Sequence, residues 1–131
     1  MSNPFSIVED FEHAVAMYTG APFVVAVNSC TNALFLCLKY YSKCDKKNGS
    51  IGPKVITIPR RTYVSIPQQI IHAGFKVEFE DLNWDGMYQL KPFNVWDCAR
   101  RFTSFMYKPN YYMCTSHHWS SRRFLGNKEV R

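Results

Sequence analysis

Residues 55–82 read VITIPRRTYVSIPQQIIHAGFKVEFEDL, and the way this stretch divides decides the fold. VITIP is a continuous apolar run rich in β-branched residues, the pattern of a strand buried on both faces. TYVSIPQQIIHAG reads as a helix. Pro67 is tolerated in its first turn, where a backbone N–H has no intrahelical acceptor, and Gly74 ends it. FKVEFEDL is again a strand. A strand, a helix and a strand in direct succession imply a crossover, so the two strands run parallel with a right-handed connection between them.

Outward from this unit the same alternation continues. Toward the N-terminus, SIVEDFEHAVAMYTG carries Ser6 and Glu9 at capping-box spacing, then Phe11, Ala14, Val15 and Tyr18 at helical spacing, with Gly20 as a stop. FVVAVN (23–28) is a short run of the buried-strand type. It turns through SCT into NALFLCLKYYSK, whose apolar positions wrap nearly the whole circumference and predict a helix covered on most sides. KCDKKNGSIGPK has the polar, Gly and Pro content of a loop. Beyond the central unit, NWDGMYQLKP reads as a loop, FNVWD as a fourth strand and YYMCTS as a fifth. The expected fold class is α/β with a mostly parallel sheet.

The 131 residues suit one domain, rich in apolar and aromatic side chains and without a low-complexity tail. The net charge of +6 is spread along the chain as well as gathered in RR pairs, which fits a solvated surface first and a phosphate-bearing ligand or nucleic acid second. Five cysteines, at 30, 37, 44, 98 and 114, form no close CxxC pair and fit neither a zinc ribbon nor a disulfide framework. Reduced thiols and a cytoplasmic location are expected. No apolar run approaches the roughly 20 residues of a membrane-spanning helix.

In a parallel α/β sheet, ligands bind at the carboxyl ends of strands, so NSCT, PRRTY, DCARR and TSHHW are expected along one rim. At NSCT a strand gives way at once to a helix. Its free N–H groups and dipole favour a phosphate, with Ser29 and Thr31 as further donors, or the same residues serve as a plain cap. Asp97 follows a buried strand and needs a partner, either a cationic ring nitrogen or the guanidinium of Arg100 or Arg101. Tyr63 either stacks on a planar ligand or simply packs.

These four clusters, in this order, resemble the front part of the sugar aminotransferases of the DegT/StrS type, pyridoxal-phosphate enzymes of the aspartate-aminotransferase-like superfamily. FEHAVAMYTGAPFVVAVNSCTNALFLCL looks like the family's opening helix, first strand and phosphate-binding turn, and VWDCARRFTS like its D-x-A-[HQ] segment. The resemblance implies an incomplete PLP-transferase-like large domain over 1–131, with helices on both faces of the sheet and the small C-terminal domain absent. It implies that Cys30 and Thr31 bind the cofactor phosphate, although the family prefers glycine where Cys30 stands. Tyr63 takes the stacking place, Asp97 holds the protonated pyridine nitrogen, Arg100 stands near the ring hydroxyl and Ser116 is a second phosphate contact. In the family the whole enzyme is a homodimer acting on a nucleotide-linked keto sugar.

The family's next motif, S-F-H-x-x-K, supplies the lysine that joins the cofactor through a Schiff base. Laid on SHHWSS, its histidine falls on His118 and its lysine on Ser121. A serine hydroxyl forms no Schiff base, and Arg122 and Arg123 stay protonated. The chain is therefore expected to be a fragment or degenerate relative that is inactive alone, pairing with a second copy or a complementary chain. Two other readings compete. A metal site at His117 and His118 is disfavoured because neighbouring residues of a strand point to opposite faces. A basic, non-catalytic module for nucleic acid or a phosphorylated ligand would use the arginines and Trp119, but leaves the upstream resemblance unexplained.

Overall fold

The computed structural model describes residues 3–47, 49 and 55–117. In chain order the elements are α1 (Ser6–Thr19), α2 (Cys30–Lys47), β1 (Val55–Pro59), α3 (Ser65–His72), β2 (Lys76–Glu80), β3 (Tyr88–Gln89), β4 (Val95–Cys98) and β5 (Tyr112–Thr115). The stretch quoted first folds as its pattern predicts. β1 and β2 pair in parallel, with Ile56 opposite Val77 and Ile58 opposite Phe79, and α3 crosses between them. β4 and β5 are also parallel, whereas β3 joins β4 antiparallel. Thr57 and Lys91 exchange both backbone hydrogen bonds, at 2.9 and 3.1 Å, and so stitch the two ladders into one mixed array.

The core lies where α2 and α3 meet the strands and each other. Leu34 and Leu38, one turn apart on α2, and Ile66 and Ile70, one turn apart on α3, close over Ile56, Ile58, Leu90 and Val95. Each such side chain contributes about 1.5–3 kcal/mol by leaving water, and these contacts hold the rim of the sheet in place.

Several expectations from the sequence change. Residues 23–28 are extended but join no ladder among the described residues, with Phe23 88% and Val25 78% exposed. The N–H of Ala26 instead donates to Glu12 Oε1 of α1 at 2.7 Å. An apolar run becomes a buried strand only when neighbours present free backbone groups at ladder spacing. α2 is not covered on most sides: Leu36 and Tyr40 are exposed on the face turned away from Leu34 and Leu38.

Helices on both faces of the sheet are not found among the described residues. α2 and α3 pack on one another and share a face, while α1 is fastened to the 102–107 loop. Phe105 and Tyr107 donate their N–H groups to the carbonyls of Tyr18 and Thr19 at the end of α1. With 23–28 outside the ladder, the array is too narrow to offer α1 a strand surface for its apolar stripe.

The start of α1 also differs from the expected capping box. Ser6 is the first residue of the helix, Phe5 stands at the N-cap without a side-chain cap hydrogen bond, and the turn before it is braced by Asn3. Its side-chain oxygen accepts the Phe5 N–H at 2.9 Å, and its amide donates to Glu9 Oε1 at 3.2 Å. Gly20 ends the helix as predicted, at φ 78°. NWDGMYQLKP is not wholly a loop: it contains β3, with Tyr88 and Leu90 buried on either side of Gln89. A two-residue strand is too short for its alternation to register in sequence.

Candidate functional site

Where the extended segment 23–28 gives way to α2, Ser29 closes the turn. Its hydroxyl accepts the Asn32 N–H at 3.1 Å and its carbonyl the Ala33 N–H at 3.0 Å. The N–H groups of Cys30 and Thr31 are left at the positive end of the helix. The Thr31 hydroxyl lies 2.9 Å from that of Ser65, the first residue of α3, so two hydroxyls and two helix starts converge. Cys30 turns its thiol toward the Cys114 carbonyl at 3.4 Å, and burial pushes that thiol well above its usual range, which keeps it neutral.

Asp97 sits on β4, only 6% exposed. Its Oδ1 accepts the Ala99 N–H at 3.0 Å and its Oδ2 accepts the Tyr88 hydroxyl at 2.7 Å. Burial raises its pKa, while the Tyr88 and Ala99 hydrogen bonds and the charge of Arg100 pull it back. Tyr88 itself is pushed far up by burial and by the neighbouring carboxylate, and its oxygen also meets the Thr62 hydroxyl. The tyrosine thus remains a donor at any ordinary pH. Tyr88→Phe should lower stability by about 1–2 kcal/mol in urea unfolding and raise the Asp97 pKa further, since it leaves the carboxylate short of a buried donor. A titration of Asp97 by carbon NMR checks the second effect.

Around this carboxylate stand planar and cationic groups. The Arg100 guanidinium lies 5.6 Å from the centre of the Trp84 ring, and Trp84 Nε1 donates to the Arg61 carbonyl at 2.7 Å. Tyr63 is 71% exposed and so is not a packing residue. His117, just past β5, sets its ring edge-on to Phe11 and Phe102, with Nε2 3.2 Å from the Thr115 hydroxyl.

Cys30, Thr31, Tyr63, Asp97, Arg100 and Ser116, all named from sequence, line one open groove of about 1430 Å³. The expected rim is therefore brought together at the carboxyl ends of β1, β4 and β5. His118, Ser121, Arg122 and Arg123 lie outside the described residues. Among the described residues no cluster of three His, Cys, Asp or Glu side chains is placed to hold a metal ion. Sequence reasoning missed Tyr88, Thr62 and Ser65. The one signal for Tyr88 was an apolar alternation, Tyr88 and Leu90 about Gln89, inside a stretch read as loop.

Residues 2–106, which include the buried carboxylate and the start of α2, match the pattern of one protein family. The chain belongs to the DegT/DnrJ/EryC1/StrS aminotransferase family. It is 43% identical over 76 residues to the spore coat polysaccharide biosynthesis protein SpsC of Bacillus subtilis (strain 168), a match taking in 58% of this chain and 18% of that protein. The chain thus spans less than a fifth of the length of this curated relative. No solved structure matches the chain significantly. Members of the DegT/DnrJ/EryC1/StrS family use pyridoxal phosphate. No helix among the described residues is long and apolar enough to cross a membrane.

Proposed function

We propose that the chain forms the cofactor-binding part of a nucleotide-sugar aminotransferase and takes up pyridoxal phosphate without covalent attachment. The observation that carries this reading is Asp97. A carboxylate so buried loses hydration; its two hydrogen-bond donors, Tyr88 and Ala99, are neutral and occupy one lone pair on each oxygen, while the charge of Arg100 also acts on it. A protonated pyridine nitrogen supplies the positive partner that burial calls for. The paired starts of α2 and α3, with the hydroxyls of Thr31 and Ser65, suit a phosphate, and Cys30 and Ser116 would add contacts to it. Tyr63, with its ring open to the groove, would stack on the heterocycle, and Arg100 would stand near the ring hydroxyl.

When bound, the cofactor supplies an electron sink for moving an amino group from an amino acid to a keto sugar. The residues of this chain bind and orient it: Asp97 holds the ring nitrogen protonated, and Tyr88 holds Asp97. Ser121 offers no amine at the family's lysine position, so the chain alone does not complete transfer. The name of the SpsC relative, a polysaccharide biosynthesis protein, supports a sugar as the acceptor. Phe23, Val25 and Leu36, apolar and open along the groove, support pairing with a second copy or a complementary chain.

The test is a titration of the purified chain with pyridoxal phosphate, followed by dialysis and by borohydride reduction. Saturable binding that dialysis removes, with no stoichiometric adduct on any lysine after reduction, is the expected result. An absence of saturable binding would overturn the reading, and so would one reduced adduct per chain at a single lysine.

A further inference from the structure

Two of the groove's cysteines meet each other. Cys37 on α2 and Cys114 on β5 hold their sulfur atoms 3.8 Å apart. Closing that gap to the roughly 2.05 Å of a disulfide brings the two sulfurs closer by under about 2 Å. Cys37 is partly exposed, and the groove leads to it from solvent. Cys114 is buried behind it. We propose that Cys37 and Cys114 are a redox-responsive thiol pair that closes to a disulfide by exchange with a small disulfide of the glutathione class, locking α2 to β5 at the wall of the groove.

In the first step the Cys37 thiolate attacks one sulfur of the small disulfide, whose S–S bond breaks, and the departing thiolate takes up a proton. In the second, Cys114 gives up its proton and attacks the Cys37 sulfur of the mixed disulfide, releasing the second small thiol. The protein pair has lost two electrons and two protons, and one small disulfide has become two thiols. The local chemistry assigns the roles. The contact between the two thiols holds Cys37 below its usual value against the opposing effect of burial and raises Cys114. Cys30 is kept neutral by burial, and burial pushes Cys98 up to about 12. Cys37, the more exposed of the pair, is therefore the nucleophile and the buried Cys114 the resolving thiol.

The bond has a consequence for the groove. Cys114 also accepts the Cys30 thiol through its carbonyl, and Ser116 follows two residues later. A cross-link here fixes the start of α2 relative to the Ser116 rim. The inference rests on the thiol geometry alone and stands whether or not pyridoxal phosphate binds.

The experiment equilibrates the reduced full chain in glutathione redox buffers, traps thiols with an alkylating agent and maps disulfides by mass spectrometry of peptides. The Cys37–Cys114 link should exceed every other pairing by about tenfold or more, and this preference should vanish in urea. Cys44→Ser should leave it unchanged, and Cys114→Ser should stop at the Cys37–glutathione adduct. A different dominant pair, a chain that stays reduced in every buffer, or the same distribution with and without urea would each overturn the proposal. If circular dichroism shows that Cys114→Ser does not fold, the order of alkylation in the unaltered chain decides. Cys37 reacting before Cys30, Cys98 and Cys114 upholds the pair, and any of those three reacting first refutes it.

Discussion

Asp97→Asn is expected to weaken pyridoxal-phosphate binding by about tenfold or more while making the cofactor-free chain more stable at neutral pH. The two effects have one cause. Burial raises the Asp97 carboxyl above its ordinary value of 3.8. A folded-state pKa above the unfolded one means that the folded chain holds the proton more tightly. The stability this gives is fully present below the unfolded value and is lost as pH rises from about 3.8 through the raised folded value. Above that range, burial of the ionised group costs the cofactor-free chain stability.

Asparagine removes that cost and keeps the local bonds. Its oxygen still accepts the Ala99 N–H, and its amide donates to the Tyr88 oxygen, whose own proton turns to Thr62. What it cannot supply is a negative charge for a protonated ring nitrogen. Urea unfolding at neutral pH and a fluorescence titration with the cofactor measure the two effects side by side. A variant that is less stable yet binds as tightly as the parent would show that Asp97 is a structural residue and not a ligand-binding one.

Leu38→Ala is expected to lower stability by about 2–5 kcal/mol, a large share of the 5–15 kcal/mol that holds a domain folded. Leu38 is fully buried where α2 meets the strands, and the cavity left by truncation lies between elements that cannot collapse to fill it. Leu36→Ala, two residues away on the same helix, should change stability by no more than about 0.5 kcal/mol, because Leu36 is exposed on the groove. Urea midpoints of the two variants, compared at equal slope, check the pair. Equal losses would mean that the face carrying Leu36 is buried in solution.

That contrast shows where sequence reading is strong and where it stops. Leu34, Leu36 and Leu38 are chemically alike, and the apolar pattern of NALFLCLKYYSK places all of them inside. Which of them is buried depends on which face α3 and the strands cover, a contact made by residues far along the chain. The same holds for FVVAVN. Its composition is that of a buried strand, but a ladder requires a neighbour, and the Ala26 N–H finds the carboxylate of Glu12 instead.

The candidate site was more legible than the outer parts of the fold. PRRTY, DCARR and Ser116 each sit at or just beyond the end of a strand, where parallel pairing gathers such ends on one edge, whereas NSCT reaches the same groove from a segment outside the ladder. The hydrogen-bond partners of those residues were not legible. Asp97 was expected to meet either a ring nitrogen or an arginine. In the protein the charge of Arg100 does bear on it, while the hydrogen bond comes from the Tyr88 hydroxyl, delivered across an antiparallel pair in which Tyr88 faces Asp97 directly.

By itself the sequence determined the strand–helix–strand unit at 55–82, the helix from Ser6 to its glycine stop, and the set of strand-end residues that share the groove. These follow from local periodicity, punctuation by Gly and Pro, and the direction of a parallel crossover, all of which act over a few residues. Only the tertiary structure decided that Tyr88 holds Asp97, that residues 23–28 stay outside the sheet, and that Cys37 faces Cys114. Each of those outcomes depends on which distant group arrives within hydrogen-bonding or van der Waals range, and that is settled by packing between elements rather than by the pattern within any one of them.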